Sequence, residues 1–184
     1  MVDPIVTKGA KILKTPLKEV PKDMFGSKEL QAMAARMSAT LRTTEHGVAI
    51  AANQIGLPYR LFVVRGFLME GMVRSDEGSV DVPDVAFVNP KIVKMSRKKE
   101  LMEEACLSVP GYHGIIKRAP KATVKAFDTN GKKFERGGSG VLAEAFQHEC
   151  DHLDGILYTD KAVEVYETPK EEDEPVHTTP HEKK

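Results

Sequence analysis

The chain has 184 residues, with 27 Lys and Arg against 27 Asp and Glu, two Cys and a formal net charge of zero. Its length suffices for one hydrophobic core, and the balanced charge argues against a strong electrostatic footprint for DNA or an anionic membrane. The sequence lacks a signal-peptide pattern and any run of about 18 apolar residues, so we expect a protein that stays in the cytoplasm.

The first regular pattern is an amphipathic helix within residues 27–47. Ser27 precedes the pattern and is a favourable N-cap. Apolar residues then recur at helical spacing and share one face. These residues are Leu30, Met33, Ala34, Met37 and Leu41. We expect this face, including both methionines, to fill the core.

Two runs rich in β-forming residues follow, at 59–65 and 85–95. Pro90 lies in the second run, and we expect it to interrupt the strand, because proline cannot donate to a sheet ladder. The segment between them, residues 75–84, has the composition of a surface loop.

A hairpin and a late helix are predicted next. Residues 122–135 contain two short strand candidates on either side of Asn130-Gly131, which is a hairpin turn signal. A helix is expected from about 141 to 153, closed by Gly155. Strands before a late helix, without βαβ alternation, indicate an α+β fold with mainly antiparallel sheets.

The segment QHECDHLDG (147–155) raises the question of a metal site. His148 and His152 are four residues apart, so a helix presents both imidazoles on one face. Glu149 lies about 100° around the helix from His148, where it can reach a water on the metal as a general base. This pattern alone leaves two structural histidines as an alternative.

A third ligand distinguishes these interpretations, and the chain has two cysteines. Cys150 lies about 200° around the helix from His148, so we expect a small buried side chain that ligates nothing. Cys106, before a turn at Pro110-Gly111, can approach from another element. One thiolate and two imidazoles leave a fourth position for water, as in catalytic metal sites. A buried free thiol is the alternative for Cys106.

Residues 46–58, HGVAIAANQIGLP, are mostly small and include Asn53 and Gln54. Small side chains let the backbone approach a ligand closely, and a carboxamide offers both a donor and an acceptor. Tight packing explains this stretch equally well.

Together, and in this order, these stretches resemble the peptide deformylase family, whose motifs are G-x-G-L-A-A-x-Q, E-G-C-L-S and H-E-x-D-H. Here they stand as GVAIAANQ (47–54), EACLS (104–108) and HECDH (148–152). Residues 4–20 also look like the family's usual start, so the resemblance covers about residues 4–165. It implies mainly antiparallel sheets packed around a central metal-binding helix.

The resemblance implies a metal-dependent hydrolase that removes the formyl group from the initiator methionine of newly made polypeptides and releases formate. A metal-bound hydroxide would attack the formyl carbon, with Glu149 as general acid and base. The implied metal ligands are Cys106, His148 and His152. Iron(II) is the implied physiological ion, and zinc, nickel or cobalt can substitute for it.

Substrate contacts follow from the same resemblance. The side-chain amide of Gln54 and the backbone N–H of Leu107 would donate to the substrate carbonyl and act in catalysis. The implied substrate-binding residues are Gly47, Val48, Ala49 and Val141. Glu144, one turn before His148, is an unusual neighbour for an apolar pocket.

The chain departs from the family motifs at Ala49, Ile50 and Ala105. If a missing glycine served a left-handed backbone conformation, alanine there would cost on the order of 1–2 kcal/mol. If it only gave clearance, the added methyl narrows the channel. These departures bear on substrate fit and rate rather than on reaction type.

Residues 1–167 are expected to form a single catalytic domain, and residues 168–184 a disordered, charged tail that contains proline. In that tail His177 and His181 are four apart, but Pro180 favours a solvated pair over a metal site. The expected partners are N-formyl-methionyl nascent peptides and, transiently, the ribosome, with no direct DNA binding and no membrane.

Two alternatives remain open at this point. One is a zincin-type metallopeptidase, whose third ligand would be a downstream histidine or carboxylate. The other is a deformylase-like binding module without turnover, to which Ala49 and Ala105 give some support. Asp151 and Glu104 are candidates to orient the histidines, and Arg118 could pair with either carboxylate.

Overall fold

The computed structural model describes residues 1–71 and 82–168, which form helices α1–α3 and strands β1–β8. The helices are α1 (Lys28–Arg42), α2 (Gly66–Met69) and α3 (Val141–Leu153). The strands are β1 (Ala49–Ala51), β2 (Leu61–Val64), β3 (Val85–Met95), β4 (Glu100–Ala105), β5 (Tyr112–Arg118), β6 (Lys121–Phe127), β7 (Lys133–Ser139) and β8 (Glu164–Glu167). Short 3-10 turns occupy Lys11–Lys14, Lys22–Met24, Ala52–Ile55 and Tyr158–Asp160.

Some predictions concern residues outside these ranges. The predicted surface loop at 75–84 lies outside the described residues except for its last three positions. The predicted tail lies outside them beyond Thr168, and so do His177 and His181.

The strands form two antiparallel sheets. The larger has the order β1-β2-β3-β6-β7, and the smaller has the order β4-β5-β8. Every pairing between neighbours in these two sheets is antiparallel. The expected α+β class with mainly antiparallel sheets is confirmed.

Helix α1 begins as the sequence predicts. The hydroxyl of Ser27 accepts a hydrogen bond from the N–H of Leu30 at 3.2 Å. Four of the five predicted core residues are buried, and Ala34 is half-buried. The helix ends at Arg42, before the end of the 27–47 stretch, because the following threonine hydroxyls donate to carbonyls of the last turn.

The expected break at Pro90 is wrong, because β3 runs through it from Val85 to Met95. The register against β6 shifts between Val88 and Lys91, so proline lies in a bulge, where no ladder donor is needed. Asn89 has a φ of 49°, and its side chain bonds both backbone groups of Val20 at 2.7 and 2.9 Å.

The predicted hairpin is confirmed as β6 and β7. Gly131 has a φ of 85°, which a side chain would disfavour. The carboxylate of Asp128 accepts hydrogen bonds from the N–H groups of Asn130 and Lys132, each at 2.9 Å. The turn therefore holds its shape through local hydrogen bonds.

The buried apolar side chains form two clusters. The main cluster joins both long helices to the larger sheet and includes Phe62, Phe87 and Phe146. A smaller cluster, which includes Cys106 and Tyr158, lies beside the smaller sheet. Helix α3 belongs to the first cluster and Cys106 to the second, so the candidate ligands come from two separately packed parts of the molecule.

Candidate metal centre

Helix α3 is fixed in its middle and at its C-terminal end. Gly155 follows it with a φ of 74°, and a Cβ there would lie 2.8 Å from the backbone of Lys14, so glycine is required. The side-chain amide of Gln147 bonds both backbone groups of Ala119 at 3.0 and 2.9 Å. Asn53 donates to the carbonyl of His152 at 2.7 Å. These contacts hold the helix in register against its neighbours.

Three potential ligand atoms converge at this helix. The Nε2 atoms of His148 and His152 are 3.2 Å apart, and Sγ of Cys106 lies 3.2 Å from Nε2 of His152. Within residues 1–71 and 82–168, this is the one group of three or more such side chains whose ligand atoms all lie within 4.8 Å of one another. Ligand atoms around one tetrahedral ion, each roughly 2.0–2.3 Å from it, are separated by about 3.3–3.6 Å. The three side chains therefore fit a single divalent ion.

The two histidines of the cluster have opposite pKa shifts. Burial opposes protonation of His148, but its hydrogen bonds to Cys106 and Glu104 raise its pKa well above the usual value. Burial lowers the pKa of His152, and the positive charges of His148 and Arg118 lower it further. In the metal-free protein His148 therefore holds the proton of the pair, and it must release that proton to bind a cation.

Glu104 orients the first histidine. Its Oε2 lies 2.9 Å from Nδ1 of His148, and its side chain is fully buried at the end of β4. Arg118 donates to both carboxylate oxygens at 2.6 and 3.0 Å. Despite burial, these bonds from His148 and Arg118 lower the pKa of Glu104 to about 2. Ligating histidines generally have such a partner for their other nitrogen.

Among the described residues, the carboxylate of Asp151 forms no hydrogen bond to a histidine ring. It accepts hydrogen bonds from Arg118 and from Lys161, each at 2.6 Å. The side chains Glu104, Arg118, Asp151 and Lys161 therefore form a continuous ion-pair network. In the described part of the chain, Nδ1 of His152 is buried and has no hydrogen-bond partner.

Glu149 is also buried, with 3% of its surface exposed. Its Oε2 has no hydrogen-bond partner among the described residues. Burial raises the pKa of Glu149 to about 7, and the charge of Glu104 adds to this, while His148 opposes it. A carboxyl group in this state can exchange a proton near neutral pH.

Gln54 and Leu107 reach the same place from other elements. The side-chain amide of Gln54 donates to Oγ of Ser108 at 3.2 Å and to Sγ of Cys106 at 3.6 Å. Its oxygen accepts from the N–H of Ala51 at 2.8 Å, which fixes the amide orientation. Leu107 lines the adjoining cavity.

This site cavity has a volume of about 300 Å³ and borders Cys106, His148 and Glu149. All four predicted substrate-binding residues line it, namely Gly47, Val48, Ala49 and Val141. Glu144 lines it as well. The structure therefore brings the predicted site residues together around one cavity.

Sequence reasoning missed the roles of Asn53, Gln147 and Ser108. Asn53 and Gln147 position α3, and Ser108 fixes the amide of Gln54. All three are buried polar side chains, and burial is not visible in the sequence. The motif EACLS placed Ser108 near the centre but gave no reason for its hydroxyl.

The alanines that replace motif glycines do not strain the backbone. Among the described residues, Asn89 is the one non-glycine residue with a positive φ, so Ala49 and Ala105 are not left-handed. Both alanines line the site cavity. Their methyl groups therefore occupy space at the cavity and impose no conformational cost.

Cys150 packs in the main core cluster, as expected for a side chain that ligates nothing. Burial raises the pKa of its thiol to about 12. No helix in the described ranges combines the length and the apolar character that crossing a bilayer requires.

Comparison with known proteins agrees with the geometry. The profile of the family described as polypeptide deformylase matches residues 2–167. Peptide deformylase 2 of Clostridium acetobutylicum is 42% identical over 128 residues, which cover 70% of this chain and 75% of that protein. Peptide deformylase of Halothermothrix orenii is 36% identical over 165 residues, covering 90% of this chain and 92% of that one.

A solved structure supports the same assignment. The crystal structure of class I type b peptide deformylase from Acinetobacter baumannii bound to Met-Ala-Ser superposes with a TM-score of 0.76 at 33% identity. The match covers 88% of this chain and 99% of that chain. Because the family profile spans nearly all the described residues and the ligand-type side chains converge, the chain belongs to the polypeptide deformylase family.

Proposed function

We propose that Cys106, His148 and His152 hold the divalent metal of this deformylase, and that Glu149 moves the proton during hydrolysis. The enzyme removes the formyl group from the initiator methionine of newly made polypeptides and releases formate. The observation that carries the residue assignment is the convergence of one sulfur and two nitrogens, with two separations of 3.2 Å and all three within 4.8 Å. Beside them lies a buried carboxyl oxygen that has no hydrogen-bond partner among the described residues.

When bound, the metal lowers the pKa of a coordinated water toward about 7 and polarises the formyl oxygen. Glu149 accepts the proton of the attacking water and returns it to the departing amine. Its raised pKa suits both steps, because a group that titrates near the working pH is an effective base and an effective acid. Glu149 lines the site cavity, where the scissile bond would lie.

Charge develops on the formyl oxygen as the bond forms. The amide N–H of Gln54 and the backbone N–H of Leu107 stabilise that charge in this proposal. One such donor is typically worth about 3–4 kcal/mol. Ala51 and Ser108 fix the orientation of the Gln54 amide, and its other N–H, whose nitrogen lies 3.6 Å from Sγ of Cys106, would turn to the formyl oxygen.

The ion-pair network has a positioning role. Glu104 holds the ring of His148 with Nε2 toward the centre, and Arg118 satisfies the remaining charge of Glu104. Cys106 completes the cluster, where a zincin would use a downstream histidine or carboxylate. This favours the deformylase chemistry over a zincin-type peptidase.

We further propose iron(II) as the physiological ion, with zinc, nickel or cobalt able to replace it. A thiolate with two imidazoles accepts each of these metals. The cytoplasm and transient contact with the ribosome are the proposed setting, since substrates emerge there.

Two variants test the assignment. Glu149→Gln keeps the metal ligands and removes the proton carrier, so formate release from formyl-Met-Ala-Ser should fall about 10²- to 10⁴-fold while metal content is unchanged. Cys106→Ala should abolish tight metal binding. Equal rates for wild type and Glu149→Gln would show that Glu149 takes no part in the mechanism. Full metal retention by Cys106→Ala would favour a zincin-type peptidase instead.

A further inference from the structure

The site cavity contains a carboxylate that the proposed mechanism does not use. Glu144 lies on α3 one turn before His148 and lines the cavity. Among the described residues its carboxylate forms no hydrogen bond and no ion pair, in contrast to Glu104 and Asp151. More than half of the residues that line the cavity are apolar, including Val48, Leu107 and Val141, and its polar lining residues besides Glu144 and the proposed centre are His46 and Gln54.

This placement is unfavourable for the free enzyme. Burial raises the pKa of Glu144 to about 7, and repulsion by Glu104 adds to it, while His148 and Arg118 oppose it. An aliphatic side chain would match the apolar walls better. The protein itself therefore supplies no partner for this group, and the cavity is open to a substrate.

A structural explanation for Glu144 is its position in the first turn of α3, where a negative charge stabilises the helix dipole. Glu29 also lies in the first turn of its helix, α1, but it is exposed to solvent. The dipole thus accounts for an acidic residue near a helix start and does not require it to face a cavity. Glu29 provides a matched control for the dipole effect.

The first side chain of the substrate is the group that reaches Glu144. It branches from the carbon attached to the formyl nitrogen, so it must enter the same cavity when the formyl group lies at Cys106, His148 and His152. This step rests on the proposed function. A substrate side chain that ends in an N–H donor would then meet an unpaired carboxylate.

We propose that Glu144 is a specificity-determining residue that extends this enzyme's substrate range to N-formyl peptides whose first side chain ends in an amino or other N–H donor group. The reaction is the same hydrolysis. Water breaks the formyl C–N bond, its oxygen goes to formate and a proton goes to the released amine. No additional reactant is required.

Two peptides of equal first side-chain length isolate this effect. Formyl-norleucyl-Ala-Ser carries an apolar end, and formyl-ornithyl-Ala-Ser carries an amino group in place of the last methyl. We expect Glu144→Gln, in the full metal-loaded chain, to lower the ornithyl to norleucyl ratio of kcat/KM by about ten- to a hundredfold, the effect of one charged hydrogen bond. Glu29→Gln should leave this ratio unchanged.

Several outcomes would overturn the proposal. It is wrong if Glu144→Gln changes both kcat/KM values by the same factor, or changes neither, while formyl-Met-Ala-Ser is still hydrolysed normally. If the wild type released no formate from any of these peptides, the proposed function and this inference would both be wrong. If Glu144→Gln does not fold, the inhibition constants of the two deformylated peptides are measured on the wild type instead. Equal inhibition constants would contradict a role for Glu144.

Discussion

The ion-pair network and the site cavity both border the metal ligands, but they treat buried carboxylates in opposite ways. In the network, Glu104 has both oxygens bonded and a pKa lowered to about 2. At the cavity, Glu149 keeps one oxygen without a partner among the described residues, and burial raises its pKa to about 7. The same residue type is thus a fixed charge in one place and, in the proposed mechanism, a proton carrier in the other.

This difference shows that the hydrogen-bond partners of a buried carboxyl group determine its role at the centre. Full pairing stabilises the network and positions His148, so its groups are not free to react. At the cavity, carboxyl groups lack hydrogen-bond partners among the described residues, so a proton or a substrate group can bind to them. The following predictions test whether pairing, rather than burial alone, separates the two regions.

The largest expected effect breaks the network. Arg118→Met leaves the carboxylates of Glu104 and Asp151 without their shared partner, and Arg118 is only 4% exposed. Removing one partner from a buried charge network costs about 3–5 kcal/mol. Urea unfolding of the metal-free and metal-loaded protein measures this loss.

The control for that prediction is Lys14→Met. Lys14 pairs with Asp160 on the surface, with 46% and 41% of the two side chains exposed. Such pairs are worth about 0–1 kcal/mol. If both variants lost the same stability, the distinction between network and surface pair would fail.

A smaller effect is expected at a paired carboxylate away from the centre. Burial opposes ionisation of Asp84, but hydrogen bonds from Arg42, Ser38 and Gly66 lower its pKa below the usual value. Its charge therefore stabilises the fold above the unfolded pKa of about 3.9, and this contribution is lost as the pH falls through the lower folded pKa. Asp84→Asn should cost about 1.5–3 kcal/mol at pH 7.

Measured across pH, the stability difference between the wild type and Asp84→Asn should shrink below about pH 4, where Asp84 becomes protonated. Exposed Asp23 offers the comparison variant Asp23→Asn, which should change little at any pH. A difference that stayed constant down to pH 2 would contradict the assignment of the pH effect to Asp84.

The smallest effect is expected at the cavity wall. Ala49→Gly removes a methyl that lines the cavity, so kcat/KM for substrates with bulky first side chains should rise by a few-fold, at a stability cost of about 0.5–1 kcal/mol. Ala51→Gly alters a buried neighbour in the same strand that does not line the cavity. A similar change in substrate preference for both variants would argue against a clearance effect.

The sequence was sufficient for the parts of the molecule that depend on local spacing. The four-residue separation of His148 and His152, the N-cap at Ser27 and the turn at Asn130-Gly131 each predict their local structure. The motif around Cys106 pointed to a ligand from another element, and the structure brings it to the histidines.

Features that depend on tertiary packing could not be predicted in the same way. Pro90 fits in β3 because it lies in a bulge where no ladder donor is needed, and nothing in the local sequence predicts that register. Asp151 was a candidate partner for a histidine, but it bonds Arg118 and Lys161, which depends on where β5 passes α3.

The division of the ligands between two apolar clusters has a consequence for folding. Cys106 belongs to the smaller cluster and the two histidines to a helix in the main one. Under the proposed ligand assignment, a cation held by all three would act as a removable cross-link that closes a long loop of chain, as a disulfide does, and would contribute its binding free energy to the folded state. The lifetime of this fold in a cell would then depend on the supply of that cation.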